Sequence, residues 1–262
     1  MKIDEAAMKP ESSGGAGTVI VTGGGRGIGA AVSRLAGARG YAVAVNYAAD
    51  DAAALRVVRD IDRAGGRAVA IQGDVSREED VGSLFDAAER ALGPLSALVN
   101  NAGITGGFSR LDALDADVLW RVLSVNVAGA FLCAREAVRR LSTRHGGRGG
   151  SIVNISSLAA RYGGAGEWIH YAASKGAIDS LTVGLAREVA GEGIRVNAVA
   201  PGLVETELHA AAGAPDRAPR LGPSIPMGRA GVPEEIAEGV LWLLSPASSY
   251  VTGAILAIGG GR

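Results

Sequence analysis

Tyr171 and Lys175 stand four residues apart in YAASK, at the start of a helical pattern. That spacing sets both side chains on one helix face. A free phenol has a pKa of about 10 and resists ionising near neutral pH. An ammonium beside it favours the phenolate. A phenol adjusted in this way can take a proton from an alcohol or return one to a carbonyl oxygen. Composition singles out the lysine as well. Of 26 basic residues only Lys2, Lys9 and Lys175 are lysines, and the first two lie within the first ten residues.

A second chemical feature is the turn TGGGRGIG (22–29), between the apolar run TVIVT and a helical pattern. Glycines there let the backbone turn tightly and approach a pyrophosphate, and the following helix N-terminus offers free amides to it. Ala30 stands where a phosphate-loop lysine would be required, which excludes that motif. Ile28 falls where the last glycine of G-x-G-x-x-G belongs. The pattern present is T-G-x-x-x-G-x-G, with Thr22, Gly23, Gly27 and Gly29.

These groups need elements to position them. Short apolar runs at 18–22, 41–46, 67–72, 95–101, 150–156, 194–200 and 254–260 read as strands. Helical patterns fall between them at 30–40, 50–66, 76–93, 113–122, 125–144, 170–191 and 233–245. Asp50 or Asp51 caps the second helix, and Ser76 with Glu79 forms a capping box for the third. Trp120 and Trp242 fit the core faces of their helices. Nearly continuous apolar strands alternating with helices indicate a doubly wound parallel sheet. The stretch 204–232 has no clear element and reads as a lid.

The glycine turn resembles that of the short-chain dehydrogenase/reductase family. Further segments match in the family's order: Asp74-Val75, NNAG (100–103), Asn126 in SVNVAG, SIVNISS (151–157), YAASK (171–175) and PGLVET (201–206). The resemblance covers about residues 17–262. It implies a single α/β domain: a Rossmann-like, seven-stranded parallel sheet with helices on both faces. It also implies an oxidoreductase that moves hydride between a nicotinamide and a ketone or secondary alcohol. By that resemblance Tyr171 is the general acid/base, and Lys175 lowers its pKa and holds the nicotinamide ribose. A serine at the end of the fifth strand bonds the substrate oxygen. Ser157 fits the N-x-S-S pattern, with Ser156 as the alternative. Asn126 holds a water that links the lysine to solvent.

The resemblance further implies cofactor contacts from Gly23, Arg26, Gly27, Ile28 and Gly29, from Asn46 and Tyr47, and from Asp74 and Val75. Asn101, Ala102, Gly103, Pro201, Gly202, Val204 and Thr206 complete the set with Tyr171 and Lys175. NAD sites place an acid about twenty residues after the glycines. The second strand instead ends in Asn46-Tyr47-Ala48, and Arg26 can face a 2′-phosphate, so NADP(H) is favoured. Relatives of the 3-oxoacyl thioester reductase and glucose 1-dehydrogenase kinds are the nearest in pattern, and the family's helix faces imply a homotetramer. A non-catalytic, dinucleotide-sensing protein on the same fold is the rival reading.

The chain has 262 residues, 40 of them Gly, and a net charge of −1. That balance gives no nucleic-acid face. No stretch reads as a membrane span or signal peptide, and residues 1–16 read as a flexible arm, so a cytoplasmic protein is expected. The single cysteine, Cys133, cannot form an intramolecular disulfide and fits a core position. His170 and His209 lack metal-ligand spacing, so no metal is expected; His209 falls in the expected lid, and Trp168, next to Tyr171, fits either the pocket lining or a subunit contact.

Overall fold

Seven short apolar runs form strands in the computed structural model, which describes residues 16–262. They are β1 (Thr18–Val21), β2 (Ala42–Tyr47), β3 (Arg67–Gln72), β4 (Leu95–Asn100), β5 (Gly150–Ile155), β6 (Ile194–Pro201) and β7 (Ile255–Ile258). All neighbours pair in parallel in the order β3-β2-β1-β4-β5-β6-β7. The chain reverses its direction of travel between β1 and β4, and the crevice beyond their carboxyl ends is where an open α/β sheet holds a ligand. The expected arm lies outside the described residues except for Ala16, whose amide donates to the Gly40 carbonyl at 3.1 Å.

The longer helices are α1 (Gly27–Ala38), α2 (Asp51–Arg63), α3 (Glu78–Leu92), α4 (Ala116–Leu123) and α5 (Gly129–Leu141). A short α6 (Ala159–Tyr162) precedes the long α7 (Ile169–Val189). Then come α8 (Glu207–Ala211), α9 (Arg217–Leu221) and α10 (Pro233–Leu244). A parallel sheet must be covered on both faces. Val32, Val57 and Val240 of α1, α2 and α10 pack on one face around Val19, Val21 and Val43. Phe85, Cys133 and Val189 of α3, α5 and α7 pack on the other around Ile20, Leu98 and Ile152.

Several details depart from the sequence reading. Asp50 does cap α2, accepting from the Ala53 amide at 3.0 Å. Ser76 does not cap α3: its hydroxyl donates to the Asp74 carboxylate at 2.6 Å, and the helix starts two residues later. The two expected helices at 113–144 are one helical path, joined by a single π turn over Ser124–Ala128. Trp120 and Trp242 are exposed, at 63% and 40%, because Val122 and Leu241 take the inner faces of their helices. The stretch 204–232 is not structureless but carries α8 and α9.

The path Ala116–Leu141 is long and apolar enough to cross a membrane, yet its inner side is core and holds Asn126. Only 28% of its apolar window is buried, which leaves Trp120 and Phe131 on an apolar outer face.

Candidate active site

The glycine turn and the end of β4 form one hydrogen-bonded unit. Thr22 Oγ1 accepts from the amides of Asn101 and Ala102, both at 3.0 Å. Asn101 Nδ2 donates back to the carbonyls of Thr22 and Gly23. Gly23 and Gly27 have φ of 59° and 49°, a region that disfavours side chains. Gly29 is demanded by proximity: a Cβ there would lie 2.3 Å from the Gly23 carbonyl oxygen and 2.5 Å from Asn101 Nδ2.

Helix α1 starts at Gly27, three residues earlier than the apolar pattern suggests, with Arg26 at its N-cap. No side chain caps it and no acid sits in its first turn. Its leading amides are therefore free for an anion such as a pyrophosphate, and the backbone cradle fits a dinucleotide.

A cavity of about 820 Å³ runs from this turn along the carboxyl ends of β1, β4 and β5. Every expected cofactor and catalytic residue borders it except Gly29, which acts through the backbone approach, and Asn126. The Asn46 side chain is spent on the frame: it accepts from the Gly23 amide at 3.2 Å and donates to the Gly73 carbonyl at 3.0 Å. At that end of the cavity Arg26 lies 3.9 Å from Asp50. Burial works to raise the Asp74 carboxyl, but Ser76 and Arg121 hold it below its ordinary range. The Arg121 guanidinium, 3.2 Å from Asp74, borders the cavity too and carries no motif that sequence reading could have used.

Tyr171 and Lys175 lie on the first turns of α7, both buried, with the ammonium 5.7 Å from the phenol ring centre. Lys175 Nζ donates to the Ile155 carbonyl at the end of β5, at 2.7 Å. Burial pulls its pKa down to about 8, with Asp179 pulling the other way. Burial pushes the Tyr171 phenol up to about 12, against a hydrogen bond with Ser157. Among the protein's own groups burial is the largest influence on this phenol.

The two serines separate clearly. The Ser156 hydroxyl turns away and donates to Asp179 at 2.5 Å, whereas Ser157 stays beside the phenol. Asn126, inside the π turn, is also fully engaged. Its Oδ1 accepts from the Ile104 amide at 2.8 Å, and its Nδ2 donates to the Ile104 carbonyl and to Ser174 Oγ. Its side chain thus fixes the loop after β4 to α7.

The far end of the cavity is closed by Trp168, His209 and Arg217. Arg217 forms a two-pronged ion pair with Glu167, at 2.9 and 2.6 Å. This joins α9 to the loop before α7 across fifty residues, a pairing that no local pattern announces. Cys133 is buried in the core, away from this cavity, and burial pushes its thiol up to about 12. Among the described residues no cluster has metal-ligand composition.

Comparison with known proteins agrees with this geometry. Residues 23–262 match a family described as enoyl-(acyl carrier protein) reductase. The chain is 51% identical to uncharacterized oxidoreductase YgfF of Escherichia coli K12, over 93% of this chain and 98% of that protein. It is 42% identical to 3beta-hydroxysteroid dehydrogenase 1 of Eggerthella lenta, over 93% and 92%. The fold is similar to the crystal structure of a dehydrogenase/reductase from Sinorhizobium meliloti 1021, with a TM-score of 0.87, 38% identity, and coverage of 95% of this chain and 96% of that one.

The crowding at Gly29 makes a direct prediction. Gly29→Ala raises the Kd for a nicotinamide dinucleotide by about tenfold or more, since the cradle must widen. Fluorescence titration reads this, with circular dichroism as the control for folding. An unchanged Kd would mean that the turn does not hold the cofactor.

Proposed function

Because the chain belongs to the short-chain dehydrogenase/reductase family, which binds nicotinamide dinucleotides, we propose that it interconverts a ketone and a secondary alcohol using NADP(H), with Tyr171 as the general acid/base. The observation that carries this reading is the meeting of Tyr171, Ser157 and Lys175 at one wall of the cavity whose other end is the glycine turn.

The glycine turn, α1 and the Asn101–Gly103 turn would hold the cofactor, which when bound supplies or accepts the hydride and, oxidised, a positive ring. Ser157 bonds the substrate oxygen. Tyr171 gives its proton to that oxygen in reduction and takes one from the hydroxyl in oxidation. Lys175, fixed by the Ile155 carbonyl, stays next to the phenol and the ribose site. Asn126 acts as a positioning residue through Ile104 and Ser174. A phenol at about 12 is protonated at neutral pH and ready for reduction. For oxidation it needs the added positive ring to lower it. The segment 204–232 serves as the lid. The hydroxysteroid relative supports a substrate whose reacting carbon lies in a ring. A homotetramer is supported by the apolar outer face bearing Trp120 and Phe131.

The preference for NADP(H) rests on Arg26 and on the lack of an acid at the end of β2. Asp50 qualifies it, since its carboxylate competes for Arg26. Arg26→Ala is expected to weaken NADPH about tenfold while changing NADH little, as a phosphate contact should. Asp50→Asn, which keeps a cap for α2, shifts the preference further toward NADPH. Equal effects on both cofactors would overturn the phosphate assignment. Tyr171→Phe should lower kcat on any ketone substrate by about a thousandfold, with NADPH binding kept. Turnover near that of the unaltered protein would remove Tyr171 from the chemistry.

A further inference from the structure

Lys175 carries the charge on which the proposed proton transfer depends, and its surroundings do little to hold that charge. The ammonium is buried, and its acceptor, the Ile155 carbonyl, is neutral. Burial brings it down to about 8, so its proton is loosely kept above neutral pH. The elements packed on it bring almost no compensation. The π turn presents the uncharged Asn126, and the loop after β4 presents Gly103, where a Cβ would fall 3.5 Å from Nζ. On α7 itself the Tyr171 phenol keeps its proton. The group of opposite charge that bears on Lys175 is the Asp179 carboxylate, and it acts against burial.

The place of Asp179 is specific. It stands four residues after Lys175 on α7, which sets the two side chains on one helix face. Ser156, the residue that follows β5, donates its hydroxyl to Asp179 Oδ1 at 2.5 Å. The same hydroxyl lies 3.3 Å from the Lys175 carbonyl. A hydroxyl has one proton to give, and the shorter contact takes it. Ser156 is buried, so this bond is shielded from water. Two consecutive residues thus hold two opposite charges in register. The carbonyl of Ile155 takes the ammonium, and the hydroxyl of Ser156 aims the carboxylate. Asp179 does not border the cavity, so it reaches the reaction only through other groups.

We propose that Asp179 is a positioning residue for the reaction: aimed by Ser156, its carboxylate keeps Lys175 in the ammonium form that assists Tyr171. This role presupposes Tyr171 as the proton carrier. It also divides the work of the two serines, Ser157 meeting the substrate oxygen and Ser156 holding the charge behind it. Without the carboxylate, burial acts unopposed and the ammonium is lost at lower pH. Reduction then fails first on the alkaline side, because a neutral amine does not stabilise the phenolate left by proton transfer.

The three lysines of the chain make this charge directly readable. Protein grown with 13Cε-lysine is titrated by NMR, and the Lys175 signal is identified by its absence from Lys175→Arg. In Asp179→Asn the titration is expected to move to lower pH, the acid constant of Lys175 rising about threefold or more, and to return in Asp179→Glu. Ser156→Ala moves it the same way by less. The kinetic arm uses saturating NADPH and whichever of cyclohexanone, ethyl acetoacetate and acetophenone is reduced fastest. The ratio of kcat/KM at pH 6.5 to that at pH 8.5 is expected to rise about threefold in Asp179→Asn and to recover in Asp179→Glu. Loss of packing alone lowers both values together and leaves the ratio unmoved. A Lys175 titration that does not move in Asp179→Asn overturns the proposal, as does a moved titration with an unmoved kinetic ratio. A moved titration in a protein that reduces no ketone upholds the pairing of Asp179 with Lys175 and fails the reading of the reaction instead.

Discussion

A buried ammonium must find an acceptor, and at Lys175 it finds the last carbonyl of β5, Ile155, at 2.7 Å. This bond ties α7 to the carboxyl edge of the sheet. Tyr171, one turn earlier on α7, is carried to the cavity wall by the same tie. The turn after β4 is drawn in close: a Cβ on Gly103 would lie 3.5 Å from Lys175 Nζ and 3.4 Å from Asn126 Oδ1. The π turn in the α4–α5 path presents Asn126 at this point, and Asn126 then holds Ile104 and Ser174. Two strands, a loop and two helices are thereby set around one charge.

Burial shapes the chemistry as much as the geometry. It drives the proton affinities of phenol and ammonium apart, the phenol up to about 12 and the ammonium down to about 8, so the phenol keeps its proton. Neither group alone is ready to ionise the other. On the proposed mechanism, the positive ring of an oxidised nicotinamide would tip the balance toward the phenolate. At the other end of the cavity, the Glu167–Arg217 pair fastens α9 to the loop before α7.

The strands were legible to within about two residues, because continuous β-branched runs bounded by glycines have few other uses in a parallel sheet. Tyr171, Lys175 and the glycine turn were legible as motifs, since their spacing is itself the geometric requirement. The start of α1 was hidden because Gly27 and Gly29 are poor helix formers, placed there for close approach. Ser76 looked like a cap only while Asp74 was left out of the competition for its hydroxyl. Trp120 and Trp242 looked like core residues because large apolar side chains usually are. The pairs Arg217–Glu167, Arg121–Asp74 and Arg26–Asp50 join distant segments, and one sequence holds no local signal for them.

The most direct measurement is the ionisation of Tyr171 itself, read as the tyrosinate absorbance difference between the native protein and Tyr171→Phe, with and without NADP+. A phenol governed by burial, beside an ammonium and responsive to the oxidised ring, titrates near 12 in the free protein and markedly lower in the complex. A titration that does not move when NADP+ binds would contradict the account, because Tyr171 would then be no proton carrier tuned by the cofactor.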